Sequence, residues 1–160
     1  MIGVLAACLC CSPPRDQSPG NEARERDVRA AVEASAPSAD MRSVLSGVYS
    51  AEQAARGRGA YVEACSECHL PDLSGNDVAP PLRGDLFLAK RTGSTVGDLY
   101  ALVRSTMPED RAFSLPPQAY ADILAYLLSE NEAPPGSAEL DPSQDFLDLI
   151  AFNGESTGQP

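Results

Sequence analysis

The stretch Cys65-Ser66-Glu67-Cys68-His69 decides how this chain folds. Two thiols three residues apart can add to the two vinyl groups of a haem, and a histidine that follows at once is then held beneath the iron as its proximal ligand. Spacing and order both matter to that chemistry. C-x-x-C alone also suits a redox dithiol or half of a zinc site. A zinc site needs about four ligands. This chain offers no second pair, because His69 is the only histidine and the remaining cysteines, Cys8, Cys10 and Cys11, cluster at the amino terminus. A dithiol oxidoreductase requires a βαβ setting that the flanks do not supply. The expected cofactor is therefore one covalently attached haem c, with Cys65, Cys68 and His69 holding it.

Outward from the motif, the pattern is helical. Ser50 and Gln53 form an S-x-x-Q capping box, after which Ala54, Gly57, Tyr61 and Ala64 share one face of a helix that ends at the motif. Thr95-Val96-Gly97-Asp98 reads as a second capping box, opening a helix with Leu99, Leu102 and Val103 on one side. Tyr120, Ile123, Leu124, Leu127 and Leu128 keep the spacing of an amphipathic helix with Pro116 and Pro117 at its start. Strand signals are nearly absent. The fold class is all-α: three or more helices whose long loops bury their apolar side chains against the porphyrin.

With one histidine in the chain, the iron's second axial position falls to a methionine, to something unusual, or to nothing. Met1 is the initiator and Met41 precedes the motif, whereas Met107 lies 38 residues after His69, at a helix end and just before Pro108. A thioether projecting from that turn suits ferrous iron and raises its potential. The competing reading makes Met107 a gap-filling core residue.

The formal net charge of -11 removes the electrostatic footprint of a nucleic-acid binder and favours a neutral or basic partner surface. Hydrophobic residues make up 43% and aromatics 6%, thin for a self-sufficient core and suited to one organised by a large apolar cofactor. Met1 to Ala7 is an apolar run closing on Leu5-Ala6-Ala7-Cys8, the form of a lipoprotein cleavage site with Cys8 as the lipidated residue, although a basic n-region is missing. A cropped apolar leader with no function for its cysteines reads equally well. Residues 1–11 are an export signal on the first of these readings; 12–46, rich in Pro, Ser, Ala, Arg and Glu, are a flexible linker that includes a helix-prone Glu22–Ala34 stretch. Residues 47–136 are the expected domain and 137–160 an acidic extension, whose Phe146, Leu147, Leu149 and Ile150 suit a short docking helix or a cap. No segment reaches the length of a membrane span, so attachment would be by lipid.

From Gly47 to Gly136 the chain resembles class I c-type cytochromes, in particular the small mono-haem domains associated with bacterial quinoprotein dehydrogenases. The resemblance rests on AEQAARGRGAY before CSECH, APPLRG after it, then FLAKR, TVGDLY, STMPED, YADILAYLLSEN and APPG. It implies thioether attachment at Cys65 and Cys68, His69 as proximal and Met107 as distal ligand, and the Pro80 carbonyl as acceptor of the His69 ring N–H. It also implies that Gly57 and Tyr61 let the first helix cross the last, near Leu124 and Tyr126. Arg91 stands where many relatives carry an aromatic near a haem propionate, and either pairs with that propionate or faces water.

Together these readings describe an extracytoplasmic electron carrier, not an enzyme, working between a periplasmic donor such as a dehydrogenase and an acceptor such as an oxidase. The alternative is a haem enzyme or gas sensor in which Met107 dissociates, although no distal histidine is at hand for peroxide chemistry.

Overall fold

The computed structural model describes residues 41–152. The leader with Cys8, nearly all of the linker including Glu22–Ala34, and residues 153–160 lie outside the described residues. In chain order come β1 (Arg42–Ser43), a 3-10 turn (Val44–Ser46), α1 (Ala51–Ala64), α2 (Ser66–His69), α3 (Asp85–Arg91), α4 (Val96–Thr106), α5 (Pro117–Glu130), α6 (Gln144–Leu147) and β2 (Ile150–Ala151). The architecture is all-α, with one two-residue parallel pairing of β1 and β2 among the described residues.

Local chemistry sets the helix starts. Thr95 and Asp98 complete their box: Asp98 N donates to Thr95 Oγ1 at 3.0 Å and Thr95 N to Asp98 Oδ2 at 2.8 Å. At α1 only half of the box forms. Ser50 Oγ accepts from Gln53 N at 3.1 Å, but the Gln53 side chain turns into the core. There its Nε2 donates to Asp122 Oδ1 at 3.1 Å and to the Leu140 carbonyl at 3.0 Å, while its Oε1 accepts from Leu140 N at 2.7 Å. A buried amide does better with three partners than with one cap it can leave to water.

α1 lies across α5, and Gly57 sets the distance: a Cβ there would run into the Asp122 carbonyl. The crossing falls at Asp122, with the rings of Tyr61 and Tyr126 packed 5.4 Å apart beside it. Leu124, expected at the crossing, is buried on α5 two residues further on. The expected face of α4 is also revised, since Leu102 is exposed and the buried side is made by Val96, Leu99 and Tyr100. α5 is buried almost all round, from Tyr120 to Leu128, because other elements surround it instead of covering one stripe.

The buried core runs past Gly136. Leu140, Leu147 and Ile150 are fully buried, Phe152 meets Phe87 edge-on at 6.3 Å, and Gly97 sits against Asp148, where a side chain would collide. Arg56 joins Asp122 (3.1 Å) to Glu139 (2.9 Å) over the same seam. Residues 137–152 therefore cap the helices. On the other flank, Arg42 and Ser43 pair with Ile150 and Ala151. The described residues accordingly form one compact unit.

Candidate functional site

α1 delivers the site. Cys65 closes it, its N–H bonded to the Tyr61 carbonyl at 2.9 Å, and the chain turns at once into α2 with His69 N donating back to Cys65 O at 3.0 Å. One helical turn thus carries both thiols and the imidazole. Cys68 is exposed and Cys65 half-buried. Burial pushes the Cys65 thiol up to about 11, the neighbouring Cys68 adding to the rise and the Arg111 cation opposing it. Arg111 belongs to the loop that follows Met107, so that loop lies within electrostatic reach of Cys65.

His69 is buried, and its Nδ1 stands 2.9 Å from the Pro80 carbonyl. A carbonyl only accepts, so Nδ1 carries the proton and Nε2 keeps the free lone pair, the arrangement of a metal-ligating histidine with a backbone partner behind it. The loop that aims this carbonyl is tightly tied. Asn76 Oδ1 accepts from Val78 N (2.8 Å) and Ala79 N (3.0 Å), and its Nδ2 donates to the Cys68 carbonyl at 3.1 Å. Gly75, at φ +67°, brings its α-carbon so close that a Cβ would stand 2.5 Å from the Pro80 carbonyl carbon. Tyr61 Oη donates to the Leu70 carbonyl at 2.7 Å, fixing the residue after His69, and Asn131 holds the far end through Gly84 N (2.9 Å) and the Leu82 carbonyl (3.0 Å). Gly75, Asn76 and Asn131 lie outside the residues to which the haem motif and the helix patterns point. The Ser74-Gly75-Asn76-Asp77 run carries a turn signal that points to the first two.

Met107 caps α4, its N–H on the Val103 carbonyl at 2.8 Å and its carbonyl accepting from Tyr120 Oη at 3.1 Å. It is half-buried, with Pro108 following as expected. Arg91, in the last turn of α3, lies over the Phe87 ring at 5.8 Å and is close enough to Asp98 to help hold that carboxyl below its usual range, behind the stronger Thr95 hydrogen bonds. Arg91 and Met107 are thus associated with opposite ends of α4, whose 11 residues span about 16 Å. Cys65, Cys68, His69 and Pro80 are brought into one cluster.

The donor set fits a covalently held haem: two thiols on one turn, an imidazole nitrogen kept free by a bond at the other, and a thioether on an anchored loop. Among the described residues, Arg91 Nε is the buried side-chain nitrogen or oxygen left without a hydrogen-bond partner, and a propionate is the kind of acceptor that would satisfy it. No group of three or more His, Cys, Asp or Glu among the described residues forms a metal cage of its own.

A family model described as Cytochrome C oxidase, cbb3-type, subunit III matches residues 52–127. No curated protein and no solved structure matches the chain. The matched stretch runs from α1 into α5 and takes in Cys65, Cys68, His69, Pro80, Arg91 and Met107. The match supports a c-type cytochrome domain, and the helical architecture agrees with the all-α cytochrome fold. Such a domain implies haem c and electron transfer, with redox proteins as partners.

Proposed function

We propose that this domain binds one haem c through thioethers at Cys65 and Cys68, with His69 Nε2 and the Met107 sulfur as axial ligands, and passes electrons between extracytoplasmic proteins. The observation that carries the reading is the 2.9 Å approach of His69 Nδ1 to the Pro80 carbonyl. It fixes the tautomer, orients the ring and raises the basicity of the nitrogen left for iron. The bound haem supplies a one-electron couple. The chain's own residues anchor it, hold its ligands still and pair its charge, Arg91 being the proposed propionate partner. No proton-transfer pair or nucleophile is required.

The family description names an oxidase subunit, and an oxidase is the proposed acceptor. A dehydrogenase, of the quinoprotein kind by resemblance, is the proposed donor. Cys8 is the proposed lipid anchor; among the described residues no helix is long and apolar enough to cross a membrane. Intact mass, a pyridine haemochrome spectrum and a redox titration of the protein made in a host with haem-attachment machinery test the core of this reading. One covalent haem per chain is expected, with a near-infrared methionine-to-iron band that Met107→Ala abolishes. A chain carrying no haem, or a band that survives Met107→Ala, defeats it. Slow carbon monoxide binding by the reduced protein is expected of a carrier; rapid binding favours the sensor or enzyme.

A further inference from the structure

The loop from Met107 to Leu115 leaves α4 and returns to α5, and one side chain touches both of its ends. Tyr120 is 1% exposed, in the first turns of α5. Its hydroxyl donates to the Met107 carbonyl at 3.1 Å and accepts from Leu115 N at 3.4 Å. Its ring is held edge-on against Tyr100 of α4 at 6.3 Å, so the hydroxyl has little freedom to leave. Between these anchor points the loop has one further tie to α4, Phe113 N donating to the Arg104 carbonyl at 3.0 Å with the Arg104 cation over the Phe113 ring at 5.6 Å. Phe113 is exposed and sits at φ +60°, a conformation that a side chain of this size seldom adopts. A loop bent in this way keeps its shape only while its ends are held.

We propose that Tyr120 is a positioning residue for the Met107 ligand: by bridging the first and last backbone groups of the loop, its hydroxyl holds the thioether in place. The proposal rests on Met107 being an axial ligand, as argued above. Tyr120→Phe keeps the ring and its packing but leaves the Met107 carbonyl and the Leu115 amide without this partner. The methionine then dissociates more often. An increase of about tenfold in the rate of carbon monoxide binding to the reduced holoprotein is expected, the size of effect that one lost hydrogen bond of this kind supports. The ferric near-infrared band should also vanish at lower urea than in the parent.

The comparison is made on holoproteins with Tyr100→Phe and Met107→Ala alongside. Tyr100 packs against the same ring and has no hydroxyl contact to the loop, so its variant should leave both readings where they are. If Met107→Ala leaves the band unchanged, the ligand assignment falls; if it removes the band while Tyr120→Phe behaves as the parent, the Tyr120 proposal alone falls. Should Tyr120→Phe fail to fold, amide exchange in the parent holoprotein decides the matter. A protected Leu115 N–H supports the bridge, and one that exchanges like a free surface amide overturns it.

Discussion

Gly57 of α1 and Asp122 of α5 meet backbone to backbone, with no room for a Cβ between them. The helices must separate to admit one, and Tyr61 and Tyr126 would lose their packing with it. Gly57→Ala is expected to cost about 2 kcal/mol or more of holoprotein stability. Urea unfolding followed by the haem absorption reads this directly, and an unchanged midpoint would contradict the crossing.

Asp122 should matter far more than the charge beside it. Its carboxylate is 11% exposed and takes hydrogen bonds from Gln53 (3.1 Å), Gln118 (2.8 Å) and Arg56 (3.1 Å). Asp122→Ala leaves one buried N–H of Gln53 Nε2 without its acceptor, while the two bonds to Leu140 remain, at a cost of about 1–3 kcal/mol. Glu139 reaches Arg56 where both side chains are about half exposed (50% and 47%), so water already screens the pair. Glu139→Ala should leave the unfolding midpoint nearly in place. Equal losses from the two variants would show that the network is not organised around Gln53.

Leu147 tests whether residues 137–152 belong to the core. It is 0% exposed although it lies beyond the stretch that resembles a known family. Leu147→Ala should cost about 2–5 kcal/mol, the range of a large apolar side chain removed from a packed interior. A loss near zero would make the extension an appendage.

Much of this was legible in the sequence, and for a definite reason. Covalent chemistry needs its residues at fixed spacing, so Cys65, Cys68 and His69 are written in one line, and helix capping is equally local, so Thr95 and Asp98 declared α4. What the sequence concealed is held together over long separations. Gln53 looked like a cap and became a tie to Leu140, 87 residues away. Tyr120 looked like one apolar residue of a helix face, and nothing near it in the chain reveals a hydroxyl shared by Met107 and Leu115. Asn76 and Gly75 lay between: their turn chemistry is local, but its purpose, aiming Pro80 at His69, is not.

Gly75→Ala probes that purpose. A side chain at φ +67° is strained, and here it would also press on the Pro80 carbonyl. The carbonyl should swing away from His69 Nδ1, leaving the imidazole less basic and the ferric state less favoured. A higher reduction potential in spectroelectrochemistry, with haem still attached, is the expected outcome. An unchanged potential would mean that the loop does not govern the ligand.

The Thr95 box gives a pH test. Hydrogen bonds from Thr95 hold the Asp98 carboxyl below the usual aspartate value of 3.8. A depressed carboxylate stabilises the fold above its unfolded-state value and loses that contribution as pH falls through the folded one. Asp98→Asn should therefore cost about 0.5 kcal/mol at neutral pH, kept small by solvent at this exposed site, and less at pH 3, below the unfolded-state value. Thermal unfolding at the two pH values measures it. A deficit that persists in acid would point to lost geometry instead of lost charge.

The side-by-side run of Arg42–Ser43 with Ile150–Ala151 has a mechanical meaning. The polypeptide reaches this domain and leaves it at adjoining points, so pulling on both ends shears one short ladder and does not stretch the helices.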